Sequence, residues 1–140
     1  MSDISRRTFL ATSAAGVAVA AVGRPISIAP APKPLRILIL GGTGFTGPHQ
    51  VQYAVARGHK VSVFNRGKTN PGSVPAGVER LQGDRNGDLE ALKGKKWDAV
   101  IDVPTTLPRW VRTAAEVLKD SVDQYVFIST ISVYADNSKP

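Results

Sequence analysis

Short apolar runs separated by polar, turn-rich segments recur along the chain from residue 35 onward. The first run, Leu35–Leu40, is almost continuously apolar, and a run of that length suits a strand buried on both faces of a parallel sheet. Later runs are rich in β-branched residues, which is typical of strands. The predicted strands are Arg36–Leu40, Lys60–Asn65, Val78–Leu81, Ala99–Val103 and Tyr125–Ser129.

Helix-compatible segments lie between these strands. One helix is predicted over Thr46–Arg57, ending before Gly58, and another over Trp110–Leu118. A brief helix over Asp88–Lys93 is predicted with Asp88 as its N-cap. The apolar faces of the two longer helices consist of Val51, Ala54 and Val55 in the first and Val111, Ala114, Ala115 and Leu118 in the second.

Strands that alternate with helices at this spacing predict βαβ units and a parallel sheet. Because crossovers between parallel strands are right-handed, the expected strand order is 3-2-1-4-5. The predicted fold class is therefore α/β, a Rossmann-type doubly wound parallel sheet that is truncated after the fifth strand. A ligand of such a sheet binds at the carboxyl ends of the strands.

Four glycines fall within seven residues directly after the first predicted strand. Their spacing fits two patterns, the general dinucleotide fingerprint G-x-G-x-x-G and the G-x-x-G-x-x-G of extended short-chain dehydrogenases. Glycines let the backbone approach a bulky group, and the N–H groups of the following helix favour a phosphate. The predicted cofactor-binding residues here are Gly41, Gly42, Thr43, Gly44, Phe45, Thr46 and Gly47. The alternative is a tight turn that holds no ligand.

The end of the second strand bears on which dinucleotide is preferred. An acidic residue there would bind the adenosine ribose hydroxyls, but this chain has Asn65 and Arg66, with Lys68 close behind. Without a carboxylate there is no repulsion of a 2′-phosphate, and a guanidinium can bind that phosphate with two hydrogen bonds. The expected cofactor is therefore NADP (or NAD), with Asn65 and Arg66 in its site. The alternative is that Arg66 is a solvated turn residue.

Composition and charge narrow the class of protein. The chain has 140 residues, 42% of them hydrophobic and 21% charged, which is ordinary for one globular domain. The absence of cysteine excludes disulfides and thiolate chemistry, and the two histidines give no metal-site pattern. Of the net charge of +7, +2 lies in residues 1–31 and the other +5 is scattered. Nucleic-acid binding is therefore not expected from charge alone.

Residues 1–34 have the pattern of a targeting segment and a linker. Ser5–Leu10 resembles the twin-arginine export signature, and the apolar segment Ala11–Val22 is too short for a stable membrane span, which needs about 20 apolar residues. Cleavage after Ala31 or after Ala20 is possible. The expected partner is the twin-arginine export machinery, which places the protein in the periplasm or outside the cell. The alternative is a disordered or amphipathic tail. Proline-rich Ile28–Pro34 then leads to a domain over residues 35–140.

Four segments together resemble the NAD-dependent epimerase/dehydratase family, the extended or atypical short-chain dehydrogenases. They are Ile37–Gly47, Phe64–Gly67, Gly83–Asp84 and Val126–Tyr134. The resemblance implies that the glycine turn lies under the cofactor pyrophosphate. It also implies that Asp84 accepts a hydrogen bond from the adenine amino group, with Arg85 beside it; alternatively, Asp84 caps the following turn. Matching the family's Val-Tyr pair makes Thr130 the catalytic residue that hydrogen-bonds the reacting oxygen of a small-molecule substrate; alternatively, it only satisfies backbone groups.

The chain also departs from the family pattern. The catalytic Tyr-x-x-x-Lys of the family is not found, since Ser138 stands four residues after Tyr134. The expectation is therefore the N-terminal part of a longer oxidoreductase or epimerase that acts on a hydroxyl or keto carbon, plausibly of a sugar nucleotide, and that is inactive alone. The alternative is a non-enzymatic nucleotide-sensing or RNA-binding module. A methyltransferase is disfavoured because an acidic residue would then follow the second strand.

Overall fold

The computed structural model describes residues 28–103 and 107–129 and shows a five-stranded parallel sheet flanked by helices. The strand order is β3-β2-β1-β4-β5, which confirms the predicted order 3-2-1-4-5. The elements are β1 (Arg36–Leu40), α1 (Gly47–Ala56), β2 (Lys60–Asn65), β3 (Glu79–Gln82), β4 (Trp97–Asp102), α2 (Pro108–Leu118) and β5 (Val122–Phe127). Among the described residues, neither helix has the length and apolar content needed to cross a bilayer.

The central strand β1 is buried on both faces, as its apolar run predicts. Its alternate side chains enter two separate cores, one covered by α2 and one by α1. The core on the α2 side is formed by Leu38, Leu40, Phe64, Leu81, Leu89, Leu92, Trp97, Val100, Ala114 and Leu118. The core on the α1 side is formed by Ile37, Ile39, Val51, Ala54, Val61, Val63, Val74 and Val78. Of the predicted helix faces, Val55, Val111 and Ala115 are only partly buried.

The bounds of β1 and β2 match their predictions, whereas β4 and β5 each begin earlier than predicted. Trp97 pairs with Val122 at the start of both strands. Strand pairing is a backbone interaction, so polar residues such as Asp98 and Asp123 are accommodated in these strands although they interrupt the apolar pattern. Asp98 has a further role, because its carboxylate accepts a hydrogen bond from the backbone N–H of Arg36 at 2.6 Å.

The helix bounds also show one wrong prediction. Helix α1 is followed by Gly58, with φ of 86°, whose N–H donates to the carbonyl of Val55, as predicted for its end. The helix predicted over Asp88–Lys93 is only a 3₁₀ turn at Glu90–Leu92. Asp88 does not cap it, because its backbone N–H and carbonyl pair with those of Asp84 in an isolated bridge.

A buried carboxylate joins the carboxyl ends of three strands. Asp102, the last residue of β4, is fully buried and accepts hydrogen bonds from Arg85, which follows β3, and from the Tyr125 hydroxyl of β5 at 2.6 Å. Both carboxylate oxygens of Asp102 lie within 2.6 Å of Nη2 of Arg85. Burial, and then the hydrogen bond to Asp102, raise the pKa of Tyr125 above its ordinary value, so its hydroxyl stays protonated as a donor.

We expect Asp102→Ala to destabilise the fold by about 3 kcal/mol, because it leaves a mostly buried guanidinium without its partner. Tyr125→Phe is the matched comparison, since it removes one hydroxyl and leaves the ion pair intact, and it should cost about 1 kcal/mol. Urea unfolding followed by circular dichroism would measure both. Equal losses for the two variants would contradict the central role of the ion pair.

Candidate nucleotide-binding site

A cavity of about 230 Å³ opens at the carboxyl edge of the sheet, where ligands bind in open α/β folds. Four parts of the chain line it: the end of β1 with the glycine turn, the end of β2 with residues 66–69, residues 83–85 after β3, and Trp110 in α2. The structure therefore brings the predicted Gly41, Thr43, Gly44, Asn65, Arg66, Asp84 and Arg85 together around one cavity.

Backbone conformation or packing requires three of the four glycines of the turn. Gly41 and Gly42 have φ of 110° and 80°, a region that residues with a Cβ rarely adopt. A Cβ on Gly47 would lie 2.5 to 2.8 Å from backbone atoms of Gly42, so α1 can approach β1 only with glycine there. A Cβ on Gly44 would meet no atom within 4 Å. Packing therefore does not require Gly44, whose backbone faces open space at the cavity.

The N-terminus of α1 is free to bind an anion. Thr46, at its N-cap position, makes no side-chain capping hydrogen bond, and no acidic residue lies in the first turn. The Gly47 N–H donates to the carbonyl of Gly44 at 3.1 Å and Pro48 has no N–H, so the donors left for a phosphate are those of the turn before Gly47. The positive end of the helix dipole also favours a phosphate there. Thr43 is buried, whereas Phe45 is 99% exposed. A phosphate-bearing cofactor thus fits the backbone of this turn.

Asn65 is engaged with the backbone on both sides of the cavity. Its Nδ2 donates to the carbonyl of Gly41 at 2.9 Å, and its Oδ1 accepts from the N–H of Gly67 at 2.8 Å. The side chain thus connects the glycine turn to the loop after β2. In that loop Arg66 and Lys68 are exposed and line the cavity, which places two cations beside it.

Asp84 and Arg85 line the cavity, and each already has a hydrogen-bond or ion-pair partner within the protein. Asp84 Oδ1 accepts a hydrogen bond from the N–H of Asn86 at 2.9 Å, the turn-capping role that was the alternative to adenine binding. The Arg85 guanidinium is paired with Asp102. Gly83, just before them, is required by packing, because a Cβ there would lie 2.6 Å from the ring of Phe64.

The cavity lining also includes Trp110, Thr69 and Lys68, which were not among the predicted site residues. Trp110 was placed only as the first residue of a predicted helix, and its separation of some 40 residues from the loop after β2 hides their proximity. Its indole N–H donates to Asn86 Oδ1 at 3.2 Å. Thr130 lies outside the described residues. So does the Val-Tyr pair whose match to the family identified Thr130.

A larger cavity, of about 650 Å³, lies at the opposite, amino edge of the sheet. Two ion pairs involve its charged side chains, Arg36 with Asp98 and Lys95 with Glu79 at 2.8 Å, and the Lys95 hydrogen bond lowers the pKa of Glu79. The buried Ser62 hydroxyl also has partners, Glu79 and the Trp97 indole. The strand starts at this edge have their backbone N–H groups hydrogen-bonded, and no helix N-terminus is among the lining residues, so this cavity is the weaker candidate despite its volume. The described residues contain no cluster of potential metal ligands.

A parallel sheet of this order, with a glycine turn and a helix N-terminus at the carboxyl end of its central strand, defines a Rossmann-type nucleotide-binding domain. The chain belongs to the NAD dependent epimerase/dehydratase family, whose sequence profile matches residues 37–140. A profile of the twin-arginine translocation pathway signal sequence matches residues 3–23. The chain therefore combines a twin-arginine export signal with the NAD(P)-binding fold of this family.

Two solved structures share this fold, and one further protein is similar in sequence. A UDP-galactose 4-epimerase structure superimposes with a TM-score of 0.64 at 24% identity, over 74% of this chain and 41% of the epimerase. The Bordetella bronchiseptica enzyme WbmG in complex with NAD gives 0.66 at 18% identity, over 79% and 42%. The chloroplast stem-loop binding protein of 41 kDa b from Arabidopsis thaliana is 30% identical over 115 residues, or 71% of this chain and 30% of that protein. The chain thus spans less than half the length of each.

The glycine turn gives a prediction about stability. We expect Gly47→Ala to destabilise the fold by about 2 kcal/mol or more, because its Cβ would overlap backbone that cannot move aside. Gly44→Ala is the matched control and should change stability by less than about 1 kcal/mol, since its Cβ points into open space. Thermal unfolding would compare them. A loss for Gly44→Ala as large as that for Gly47→Ala would contradict the assignment of Gly44 to a ligand.

Proposed function

We propose that this chain is the cofactor-binding part of an exported NADP-preferring oxidoreductase or epimerase of the short-chain dehydrogenase type. The observation that carries the proposal is the glycine turn, whose Gly44 leaves its backbone open beside the uncapped N-terminus of α1. That arrangement suits a pyrophosphate. We further propose that residues 1–34 are the signal and linker, that residues 35–140 are the domain, and that the protein acts in the periplasm or outside the cell.

Different residues of the cavity would bind different parts of the cofactor. Backbone N–H groups of residues 44–46 would bind the pyrophosphate, since the Gly47 N–H donates to the carbonyl of Gly44. Arg66 and Lys68 would bind the ribose end, and Asp84 would accept from the adenine amino group through the oxygen that Asn86 leaves free. The bound cofactor would supply a hydride acceptor or donor for a hydroxyl or keto carbon. Thr130 would hydrogen-bond the reacting oxygen, a role that rests on the family resemblance.

The preference for NADP rests on charge beside the cavity. Asn65 brings no carboxylate to repel a 2′-phosphate, and the exposed Arg66 and Lys68 bring two cations within the same loop. The substrate class rests on the relatives. One similar structure is a UDP-galactose 4-epimerase, and another is WbmG in complex with NAD and UDP. We therefore propose a sugar nucleotide as the substrate of the whole enzyme.

Isothermal titration of the chain with NADPH and NADH tests the proposal. NADPH should bind more tightly than NADH. Arg66→Ala should weaken NADPH about tenfold, because it removes a charge-assisted hydrogen bond to the 2′-phosphate, and should leave NADH nearly unchanged. Gly44→Ala should weaken both, since the pyrophosphate is common to them.

Lys119→Ala is the matched control for Arg66→Ala. Lys119 is also an exposed cation, but it lies at the C-terminal end of α2, away from the carboxyl edge of the sheet. Its removal should leave both affinities unchanged. Binding of neither nucleotide would refute the proposed function, and an equal loss of NADPH affinity for both variants would show that only net charge matters.

A second candidate is a nucleotide-sensing or RNA-binding module without catalysis. It is favoured by the relative that is named a stem-loop binding protein. Retention of a stem-loop RNA on a filter at increasing salt would test it, since phosphate contacts make the affinity fall steeply with salt. Such retention without NADPH binding would favour this candidate over the first.

A further inference from the structure

The geometry points to Trp110 as a flat wall of a purine-base subsite in the carboxyl-edge cavity, where the adenine of the cofactor would stack on its indole. This inference rests on the proposed NAD(P)-binding function and extends it to a residue whose role nothing else has assigned. Its ligand is defined by chemistry: a planar heteroaromatic base with an exocyclic amino group.

The position of Trp110 in α2 sets its side chain over the cavity. It precedes Ala114 by four residues and Leu118 by eight, so all three lie on the same face of the helix. Ala114 and Leu118 are fully buried against the sheet, whereas Trp110 is half-buried and lines the cavity. Trp110 is not one of the described side chains that form the core on the α2 side or pack against it. The apolar face of α2 therefore extends beyond the core to the cavity.

Hydrogen bonds fix the indole relative to the residue predicted to bind the base. Trp110 Nε1 donates to Asn86 Oδ1 at 3.2 Å, and Arg109 donates to the same oxygen at 2.9 Å. The backbone N–H of Asn86 donates to Asp84 Oδ1. The indole and the Asp84 carboxylate are thus held as one unit on the same side of the cavity, with a flat apolar face next to a hydrogen-bond acceptor.

These two features match the two requirements of adenine. Its ring gains stacking energy on an aromatic face, and its amino group needs an acceptor at its edge. The other aromatic ring lining this cavity is Phe64, which is only 1% exposed and belongs to the core beneath the sheet edge. Among the described residues, Trp110 is therefore the aromatic side chain that is accessible to a ligand there.

The chain contains two tryptophans, which gives the experiment an internal control. Trp97 is 4% exposed, lines the amino-edge cavity and donates its indole N–H to Ser62. A ligand in the carboxyl-edge cavity should therefore quench Trp110 and leave Trp97 unaffected. The probe is 2′-phospho-ADP-ribose, which carries the adenine half without the nicotinamide. Nicotinamide mononucleotide is the negative control, because it has no adenine.

We expect 2′-phospho-ADP-ribose to quench the tryptophan fluorescence of the chain and of Trp97→Phe, but not that of Trp110→Phe. By isothermal titration, Trp110→Phe should keep NADPH affinity within about threefold, because phenylalanine retains a flat face. Trp110→Leu should lose about tenfold, the size of one base–aromatic stacking interaction. Both variants keep the core intact, and circular dichroism would check this. Nicotinamide mononucleotide should not quench the chain.

The outcomes separate this inference from the function on which it rests. Binding of NADPH by titration, with no quenching by the adenine probe or with full affinity in Trp110→Leu, would overturn the role of Trp110 and leave the proposed function standing. Absence of NADPH binding to the unmodified chain would refute both. Quenching by nicotinamide mononucleotide would overturn the base subsite, because that ligand has no purine.

Discussion

The close approach of α1 to the glycine turn after β1 is the contact on which the rest of the site depends. Gly47 can lie against the backbone of Gly42 because Gly47 carries no Cβ, and Gly42 must be glycine for a separate reason, since a Cβ there would lie 2.9 Å from Val63. These contacts hold the start of α1 against the turn that follows the central strand. A Cβ on Gly44, in the same turn, would meet no atom within 4 Å. Tight packing on both sides of Gly44 therefore leaves an opening at which a phosphate fits.

The opposite side of the cavity is fixed by charge. Asp102, at the end of β4, holds Arg85 from the segment after β3 and Tyr125 from β5. A buried carboxylate is tolerated there because each of its oxygens accepts a hydrogen bond. Because its guanidinium is paired with the Asp102 carboxylate, Arg85 forms a rigid part of the cavity wall. The free cations on the described cavity wall, Arg66 and Lys68, lie in the loop after β2. The cavity wall thus combines a fixed, charge-neutralised part with an exposed, cationic part.

The sequence predicted those parts of the fold that local pattern determines. The strand order and the bounds of β1 and β2 are confirmed, because their apolar residues and turn glycines are contiguous along the chain. The starts of β4 and β5 were missed, since backbone pairing tolerates the polar residues that interrupt their apolar pattern. The brief helix predicted over Asp88–Lys93 is a shorter 3₁₀ helix at Glu90–Leu92. Its predicted N-cap was wrong, because Asp88 pairs with Asp84 in a bridge that no helical signal reveals. The contact of Trp110 with Asn86 joins residues 24 apart and has no local signal.

Asn65 has a structural role that does not depend on which cofactor binds. The missing carboxylate at the end of β2 was interpreted as an adaptation to a 2′-phosphate, but the Asn65 amide is also needed to donate to Gly41 and to accept from Gly67. An aspartate could accept from Gly67, yet it would direct a negative oxygen at the carbonyl of Gly41. Asparagine here is thus required by the backbone whichever cofactor binds. A preference for NADP would therefore come from Arg66 and Lys68, which are exposed in the described cavity wall and have no such structural role.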